Sequence, residues 1–225
     1  MEGFDDSTLN SVIESHYPFI SYRPLRPSDL KVLEKIHGEL FPFRYEPEFF
    51  QDIVNGGNGI VSWGAVDCNR TNGKSDELIG FVTTEVVFAR GSEVDDFVKF
   101  DPSKPNETVV YILTLGVLKS YRKLGIATSL ISLVIDYATS MQTCKAVYLH
   151  VVSDNAPAIS LYKKMSFKCI RRLCSFYPIE AGQRDAFLYI YYLNGGRSPR
   201  SLIEAVTLLI SYAKGILQKS ITAIL

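Results

Sequence analysis

Apolar and polar positions along the first half of the chain follow the period of short strands and amphipathic helices. Alternating or β-branched apolar runs predict strands at 20–25, 60–66, 77–88 and 107–118, and helical spacing predicts helices at 30–41 and 47–54. Polar, turn-forming segments separate the last three strands. This part of the chain is therefore predicted to be a strand and two helices followed by an antiparallel meander.

The second half of the chain alternates between the two periods. The predicted elements are a helix at 126–141, a strand at 145–152, a helix at 155–164, and strands at 167–173 and 185–193. A meander followed by strand-helix-strand-helix-strand-strand describes one mixed α+β sheet.

Both ends of the chain differ from this central region. Residues 1–19 are expected to form a flexible leader, 20–196 a folded domain, and 197–225 a linker and an amphipathic helix. The polar residues of the last segment fall on one narrow helical stripe: Glu204, Thr207, Ser211, Lys214, Gly215, Gln218 and Thr222. Its wide apolar face can lie in a membrane interface, fold back on its own domain or pair with another chain.

Composition and charge exclude several classes of protein. The 225 residues are 47% hydrophobic and carry 24 basic and 24 acidic side chains, so no overall field attracts nucleic acid. The four cysteines form no CxxC pair, and we expect free thiols and no metal site. The N-terminus lacks a signal-peptide pattern, and no run of 18 apolar residues indicates a membrane span.

The stretch YILTLGVLKSYRKLGIATSL, at 111–130, combines three features of an anion site. An apolar strand leads into a cationic turn containing Gly125, and a helix begins directly after it. Loop amides and a helix N-terminus together favour a bound anion.

The turn Arg122-Lys123-Leu124-Gly125-Ile126-Ala127 resembles the R-x-x-G-x-G/A loop of the GNAT superfamily of N-acetyltransferases. The resemblance implies the GNAT fold, with a mixed, mostly antiparallel central sheet flanked by helices, and acetyl-CoA as the cosubstrate. The residues that it assigns to acetyl-CoA are Leu115, Gly116, Val117, Arg122, Lys123, Leu124, Gly125, Ile126, Ala127, Thr128, Asn155 and Tyr162.

Further segments resemble the N-alpha-acetyltransferases within this superfamily. YLHV at 148–151 and Tyr111 imply that Tyr111 and His150 are catalytic. The resemblance assigns substrate binding to Phe41, Pro42, Tyr45, Leu113 and Tyr177. YLNGG at 192–196, with the amphipathic tail, is similar to the NatF-type branch. Arg44 departs from the family pattern, which has an acidic residue there, and Phe176 replaces a tyrosine.

This resemblance implies transfer of acetyl from acetyl-CoA to protein N-termini that begin with methionine. Tyr111 and His150, acting through an ordered water, are the hypothesised proton acceptor. The implied substrates are transmembrane proteins with cytosolic N-termini. The chain is expected to be a monomer on the cytosolic face of the Golgi or plasma membrane. Acetylation of lysine on histones or on itself, and a non-catalytic acetyl-CoA-binding membrane tether, are the alternatives.

The loop at 89–106 is acidic and has two interpretations. Glu93, Asp95, Asp96 and Asp101 lie within it. The pattern favours a solvated hairpin tip; the alternative is that the loop attracts basic substrates, which would support lysine acetylation.

Overall fold

The structure is a computed structural model that describes residues 18–42, 44–71, 73–101, 103–179 and 182–198. The predicted leader, apart from its last two residues, and the predicted amphipathic helix lie outside the described residues.

Seven strands form one mixed sheet. They are β1 (Ile20–Pro24), β2 (Ile60–Asp67), β3 (Leu78–Phe88), β4 (Thr108–Val117), β5 (Cys144–Val152), β6 (Lys168–Ile179) and β7 (Gly182–Tyr192). Their order across the sheet is β1-β2-β3-β4-β5-β7-β6, and within this described sheet every neighbouring pair is antiparallel except β4 and β5. The prediction of a mixed, mostly antiparallel α+β sheet is confirmed.

Helices cover the two faces of the sheet. They are α1 (Leu30–Leu40), α2 (Pro47–Asn55), α3 (Ile126–Ser140) and α4 (Ala156–Lys164). Successive strand residues point to opposite faces, so Val110 packs with Leu130 of α3 while Val109 packs in a separate cluster. A third cluster joins α1 and α2 to β3 through Leu33 and Phe81. The strand and helix periods read from the sequence thus correspond to real buried faces.

The acidic loop between β3 and β4 packs on the sheet. Val94 and Val98 are 0% and 2% exposed, and the Tyr192 hydroxyl of β7 donates a hydrogen bond to the Phe97 carbonyl over 2.9 Å. The expectation of a solvated hairpin tip holds for the acidic residues Glu93 and Asp96, which are exposed, but not for the apolar residues of the loop, which are buried. Glu93 is therefore held in place by its neighbours on the loop.

The segment YLNGG at the end of β7 joins β7 to α3 and β5. The Asn194 side-chain amide donates to the carbonyls of Met141 and Cys144 over 2.8 and 3.0 Å, which satisfies acceptors between α3 and β5. A Cβ on Gly196 would overlap the carbonyl oxygen of Lys145. These residues therefore have a structural role in joining β7 to the α3–β5 connection.

Candidate active site

The centre of the sheet opens where β4 and β5 part. Their parallel pairing runs from Thr108 and Cys144 to Ile112 and Leu149 and ends there, although each strand continues with its other neighbour. Leu113 is the extra residue of a bulge opposite Thr83 and Thr84 of β3. Because a bulge bends its strand, it turns the end of β4 away from β5 and leaves backbone groups facing the opening.

Tyr111 and His150 meet beside this opening. Tyr111 belongs to the paired part of β4, and His150 is the first residue of β5 beyond the last pair with β4. The Tyr111 hydroxyl and His150 Nδ1 are hydrogen-bonded at 3.1 Å. The structure thus brings together the two residues predicted to be catalytic, which are 39 positions apart in the sequence.

Burial sets the protonation of both groups. The His150 side chain is 1% exposed, and its burial, together with the positive charge of Arg171, lowers its pKa from 6.5 to about 4. Burial raises the pKa of Tyr111 above its ordinary value, and the neighbouring phenols of Tyr177 and Tyr148 act in the same direction. At neutral pH the pair is therefore a neutral imidazole and a protonated phenol.

Glu93 is a third polar group at this position, and the sequence analysis did not assign it to the site. Its Oε1 lies 3.0 Å from His150 Nε2. Burial raises the pKa of Glu93, and the positive charge of Arg171 opposes that shift. The acidic loop was noticed in the sequence, but nothing in its spacing shows which carboxylate faces the histidine.

Aromatic side chains of β6 pack against the ring of His150 and over the site. The Phe176 ring centroid is 4.4 Å from that of His150, and Tyr177 packs edge-on against Phe176 at 4.9 Å. The pairing of β6 with β7 is irregular between Leu173 and Tyr177, where Ser175 has a φ of +53°. This irregularity brings Phe176 and Tyr177 over the site, and the predicted strands stopped short of it.

The connection between α1 and α2 contributes a second aromatic cluster. His37 of α1 stacks on Phe41 at 4.4 Å between ring centroids and meets Tyr45 edge-on at 4.9 Å. Tyr45 in turn stacks on Phe49 at 4.2 Å and is 38% exposed. Pro42 follows Phe41 directly and is exposed. The phenol of Tyr45 raises the pKa of Tyr111 and of Tyr177, so the three hydroxyls lie within electrostatic reach of one another.

A cavity of about 260 Å³ lies at the start of α3. Seven of the twelve residues assigned to acetyl-CoA line it: Val117, Arg122, Lys123, Gly125, Ile126, Ala127 and Thr128. Tyr121, Pro157 and Leu161 also line it. None of these three was assigned from the sequence. Pro157 and Leu161 belong to α4, which only the fold brings against the turn, whereas Tyr121 directly precedes the recognised motif.

The other residues assigned to acetyl-CoA lie on the turn, in β4, and at the start of or within α4. Leu124 is 51% exposed on the turn, and Leu115 and Gly116 are in β4 just before it. The Asn155 side chain accepts a hydrogen bond from the Ala158 amide at the start of α4, and Tyr162 is 6% exposed in the core. Contact of all twelve residues with acetyl-CoA remains a prediction.

The turn before α3 has the backbone geometry of an anion site. Gly125 precedes the first helical residue with a φ of +80°, and Lys123 has a φ of +66°. These left-handed positions let successive amides face the same side, where the N-terminus of a 15-residue helix adds its positive end. The residues present therefore fit a diphosphate group.

The described part of the chain holds no cluster of metal ligands and no helix suited to crossing a membrane. No three His, Cys, Asp or Glu side chains there come together as metal ligands. No helix among those residues has the length and apolar character needed to cross a membrane.

Sequence comparison identifies similar proteins. The model of the acetyltransferase (GNAT) family matches residues 30–167. Histone acetyltransferase MCC1 of Arabidopsis thaliana is 51% identical over 210 residues, which are 93% of this chain and 85% of that protein. N-alpha-acetyltransferase 60 of Danio rerio is 30% identical over 190 residues, which are 83% of this chain and 75% of that protein.

Structure comparison gives the same picture. The crystal structure of Arabidopsis thaliana NAA60 in complex with acetyl-CoA is 54% identical, with a TM-score of 0.76, and the match covers 79% of this chain and 100% of that one. Naa50 of the same plant, in complex with the bisubstrate analogue CoA-Ac-MVNAL, is 27% identical, with a TM-score of 0.58 and coverage of 77% and 99%.

Proposed function

Because this chain belongs to the GNAT family of acetyltransferases, we propose that it transfers the acetyl group of acetyl-CoA to the α-amine of protein N-termini. The family resemblance read from the sequence is confirmed, and relatives named N-alpha-acetyltransferase 60 and NAA60 support its narrower form. The hydrogen-bonded pair of Tyr111 and His150, beside the point where β4 and β5 part, is the observation that carries the proposal.

The arrangement positions the two reactants along one line. The turn at 122–128 holds the diphosphate, and the free backbone edge of β4 after Ile112 receives the thioester arm. The amine enters between the aromatic residues Tyr45 and Tyr177. Its nitrogen attacks the thioester carbonyl directly, so the reaction needs no covalent enzyme intermediate.

The catalytic pair removes the proton that the amine must lose. The phenol of Tyr111 stays protonated at neutral pH and passes a proton to His150 Nδ1 as its oxygen accepts one from the amine through water. The thiolate that leaves takes up a proton, and His150 returns its proton to solvent. Protons therefore balance over one turnover.

An α-amine suits this pair better than a lysine does. The α-amine has a pKa of about 7.7 to 8.0 and a lysine about 10.4, so at pH 7 roughly a tenth of the former is free amine and under about a thousandth of the latter. A histidine whose pKa is lowered to about 4 is a weak base. The site therefore favours the acceptor that needs less help with deprotonation.

The proposed acceptors begin with methionine. An unbranched thioether adapts well to a pocket of aromatic rings, and Phe41, Tyr45 and Tyr177 supply such rings at the site. Phe41, Pro42, Leu113 and the two tyrosines keep their predicted role as substrate-binding residues.

A peptide assay tests the proposed reaction. Purified protein and acetyl-CoA are offered a methionine-starting peptide with an internal lysine, the same peptide with a blocked N-terminus, or no peptide. We expect acetylation of the free N-terminus only, read by mass spectrometry. Acetylation of the blocked peptide would favour the lysine acceptor, and consumption in none of the three would favour the non-catalytic tether.

Lysine acetylation is the second candidate because of one comparison. The relative that is 51% identical over 93% of this chain is named a histone acetyltransferase. A histone peptide with a blocked N-terminus, added to the same assay, separates this activity from N-terminal acetylation.

We propose further that the chain acts as a monomer on the cytosolic face of the Golgi or plasma membrane, held there by the amphipathic segment 201–225. The support is the sequence pattern, with a wide apolar face preceded by Arg197 and Arg200. Each arginine contributes about 1 kcal/mol near an anionic leaflet. Transmembrane proteins with cytosolic N-termini are the substrates that such a location would supply.

The membrane proposal predicts opposite results for two equal charge changes. Leu209→Asp, at the centre of the apolar face, is expected to weaken sedimentation with anionic vesicles by at least about 10-fold, because a buried charge opposes insertion. Gln218→Asp, on the polar stripe, should sediment nearly as the native chain does. Removal of residues 199–225 without loss of vesicle binding would overturn the proposal.

A further inference from the structure

Glu93 of the acidic loop lies at the catalytic pair although the loop is distant in sequence from β5. Its carboxylate oxygen Oε1 is 3.0 Å from His150 Nε2, on the side of the ring opposite the hydrogen bond to Tyr111. The atoms Tyr111 Oη, His150 Nδ1, His150 Nε2 and Glu93 Oε1 thus form a continuous line of polar groups. A carboxylate next to the second nitrogen of a buried histidine controls which nitrogen carries the proton.

The His150 ring needs a partner on this side. Nε2 is inaccessible to solvent and has no well-aligned hydrogen bond within the described residues. A buried N–H without an acceptor costs about 1–3 kcal/mol. The only carboxylate that the structure shows within ion-pair distance of Nε2 in the described residues is that of Glu93. Alignment of this pair as a hydrogen bond requires rotation of the Glu93 side chain, which is 35% exposed.

The loop holds Glu93 at this position through several separate contacts. Val94, the next residue, is fully buried in the cluster under the loop. The Asp95 side chain accepts from the Gly91 amide at 2.8 Å, which closes the loop around Glu93. The guanidinium of Arg171 lies 4.9 Å above the Phe97 ring. The carboxylate is therefore placed by the fold and does not depend on an exposed, freely rotating loop.

Burial raises the pKa of Glu93. The positive charge of Arg171 of β6 opposes that shift and favours the carboxylate form. The titratable or charged groups around His150 are Tyr111 of β4, Tyr148 of β5, Arg171 and Tyr177 of β6, and Glu93 of the loop. Among these, Glu93 is the group that would carry a negative charge at neutral pH.

We propose that Glu93 is a positioning residue that accepts the Nε2 proton of His150, so that Nδ1 is left free to receive a proton from Tyr111. In this arrangement neutral His150 carries its hydrogen on Nε2. When Nδ1 takes a proton during turnover, the ring becomes an imidazolium whose positive charge lies next to the Glu93 carboxylate. No proton passes to Glu93, and the histidine later releases the Nδ1 proton to solvent. The inference rests on the proposed acetyl transfer but is measurable without it.

Three variants of the full-length chain separate the parts of this role. Glu93→Gln keeps an oxygen that accepts from Nε2 but removes the charge, and Glu93→Ala removes both. Asp96→Asn is the matched control, because it deletes an equal charge from an exposed position on the same loop.

The first measurement is the tautomer of His150, read from the long-range 1H–15N spectrum of the imidazole nitrogens at pH 7. The chain has three histidines, so the signals of His150 can be assigned by their loss in His150→Ala. We expect the Nε2–H form in the native protein, in Glu93→Gln and in Asp96→Asn, and a mixture of both forms in Glu93→Ala. An unchanged tautomer in Glu93→Ala would overturn the proposal, whatever the activity of the protein.

The second measurement is the steady-state rate with a methionine-starting peptide. General base catalysis contributes roughly 10²–10⁴-fold, so we expect kcat to fall by about 100-fold in Glu93→Ala and about 10-fold in Glu93→Gln. The KM for acetyl-CoA should not change, and Asp96→Asn should have native kinetics. A rise in peptide KM at constant kcat would instead make Glu93 a residue that binds substrate, and would also overturn the proposal.

Discussion

His150→Ala is expected to lower kcat by about 100-fold or more, and Tyr111→Phe by a similar factor. General base catalysis contributes roughly 10²–10⁴-fold in enzymes, and each variant breaks the 3.1 Å hydrogen bond that joins the two groups. Because the pair acts as a unit, the double variant should be little slower than either single one. The measurement is the rate on a methionine-starting peptide with acetyl-CoA at saturation.

A control must show that the fall in kcat comes from the lost catalytic groups and not from unfolding of the variants. Tyr137→Phe is a suitable control. Tyr137 of α3 packs against Trp63 of β2, away from Tyr111 and His150, and the substitution removes only a hydroxyl. All variants should bind acetyl-CoA with native affinity, since neither Tyr111 nor His150 lines the cavity at the start of α3. Native rates in both single variants would remove Tyr111 and His150 from the mechanism.

Acidification is expected to destabilise the protein strongly through His37. Burial lowers the pKa of His37 from 6.5 to about 4, and its Nε2 has no hydrogen-bond partner among the described residues. The unfolded chain takes up this proton below pH 6.5 and the folded chain only near pH 4. His37 therefore favours the folded state fully above pH 6.5, and about 3 kcal/mol of that contribution is lost as the pH falls to 4. His150, with a similarly lowered pKa, adds a comparable loss.

His37→Phe tests this expectation. The ring of residue 37 lies between Phe41 and Phe81, at centroid distances of 4.4 and 6.2 Å, so an aromatic replacement can keep the stacking and cannot be protonated. The free energy of unfolding, measured with urea at pH 7, 6, 5 and 4, should fall with decreasing pH about half as steeply in His37→Phe as in the native chain. An equal slope in both proteins would show that His37 is not buried in its neutral form.

The elements of the fold were predictable where one face of a strand or helix is buried. Helix α3 begins within a residue of its predicted start because Gly125 ends the turn and apolar residues then recur at helical spacing. The long β6–β7 hairpin was predicted less well. Its irregular part around Ser175 is exposed and held by hydrogen bonds to Asp185, so no apolar pattern marks it.

The candidate site was predictable where a local motif carries the chemistry. Arg122 to Thr128 are contiguous, and six of these seven residues line the cavity at the start of α3. Tyr111 and His150 were identified because each lies in a strand segment that resembles the family. Phe176 was noticed only as a departure from the family pattern, and its position over His150 was not foreseen.

The sequence by itself determined the α+β class, the order of most elements, the turn predicted to hold a diphosphate and the candidate catalytic residues Tyr111 and His150. These features depend on local periodicity and on short motifs, in which the residues that give the signal are close together in the sequence. The tertiary structure alone decided that the acidic loop folds onto the sheet and brings Glu93 within 3.0 Å of His150. Glu93 and His150 are 57 positions apart in the sequence, and packing of Val94 and Val98, not any local pattern, sets their distance.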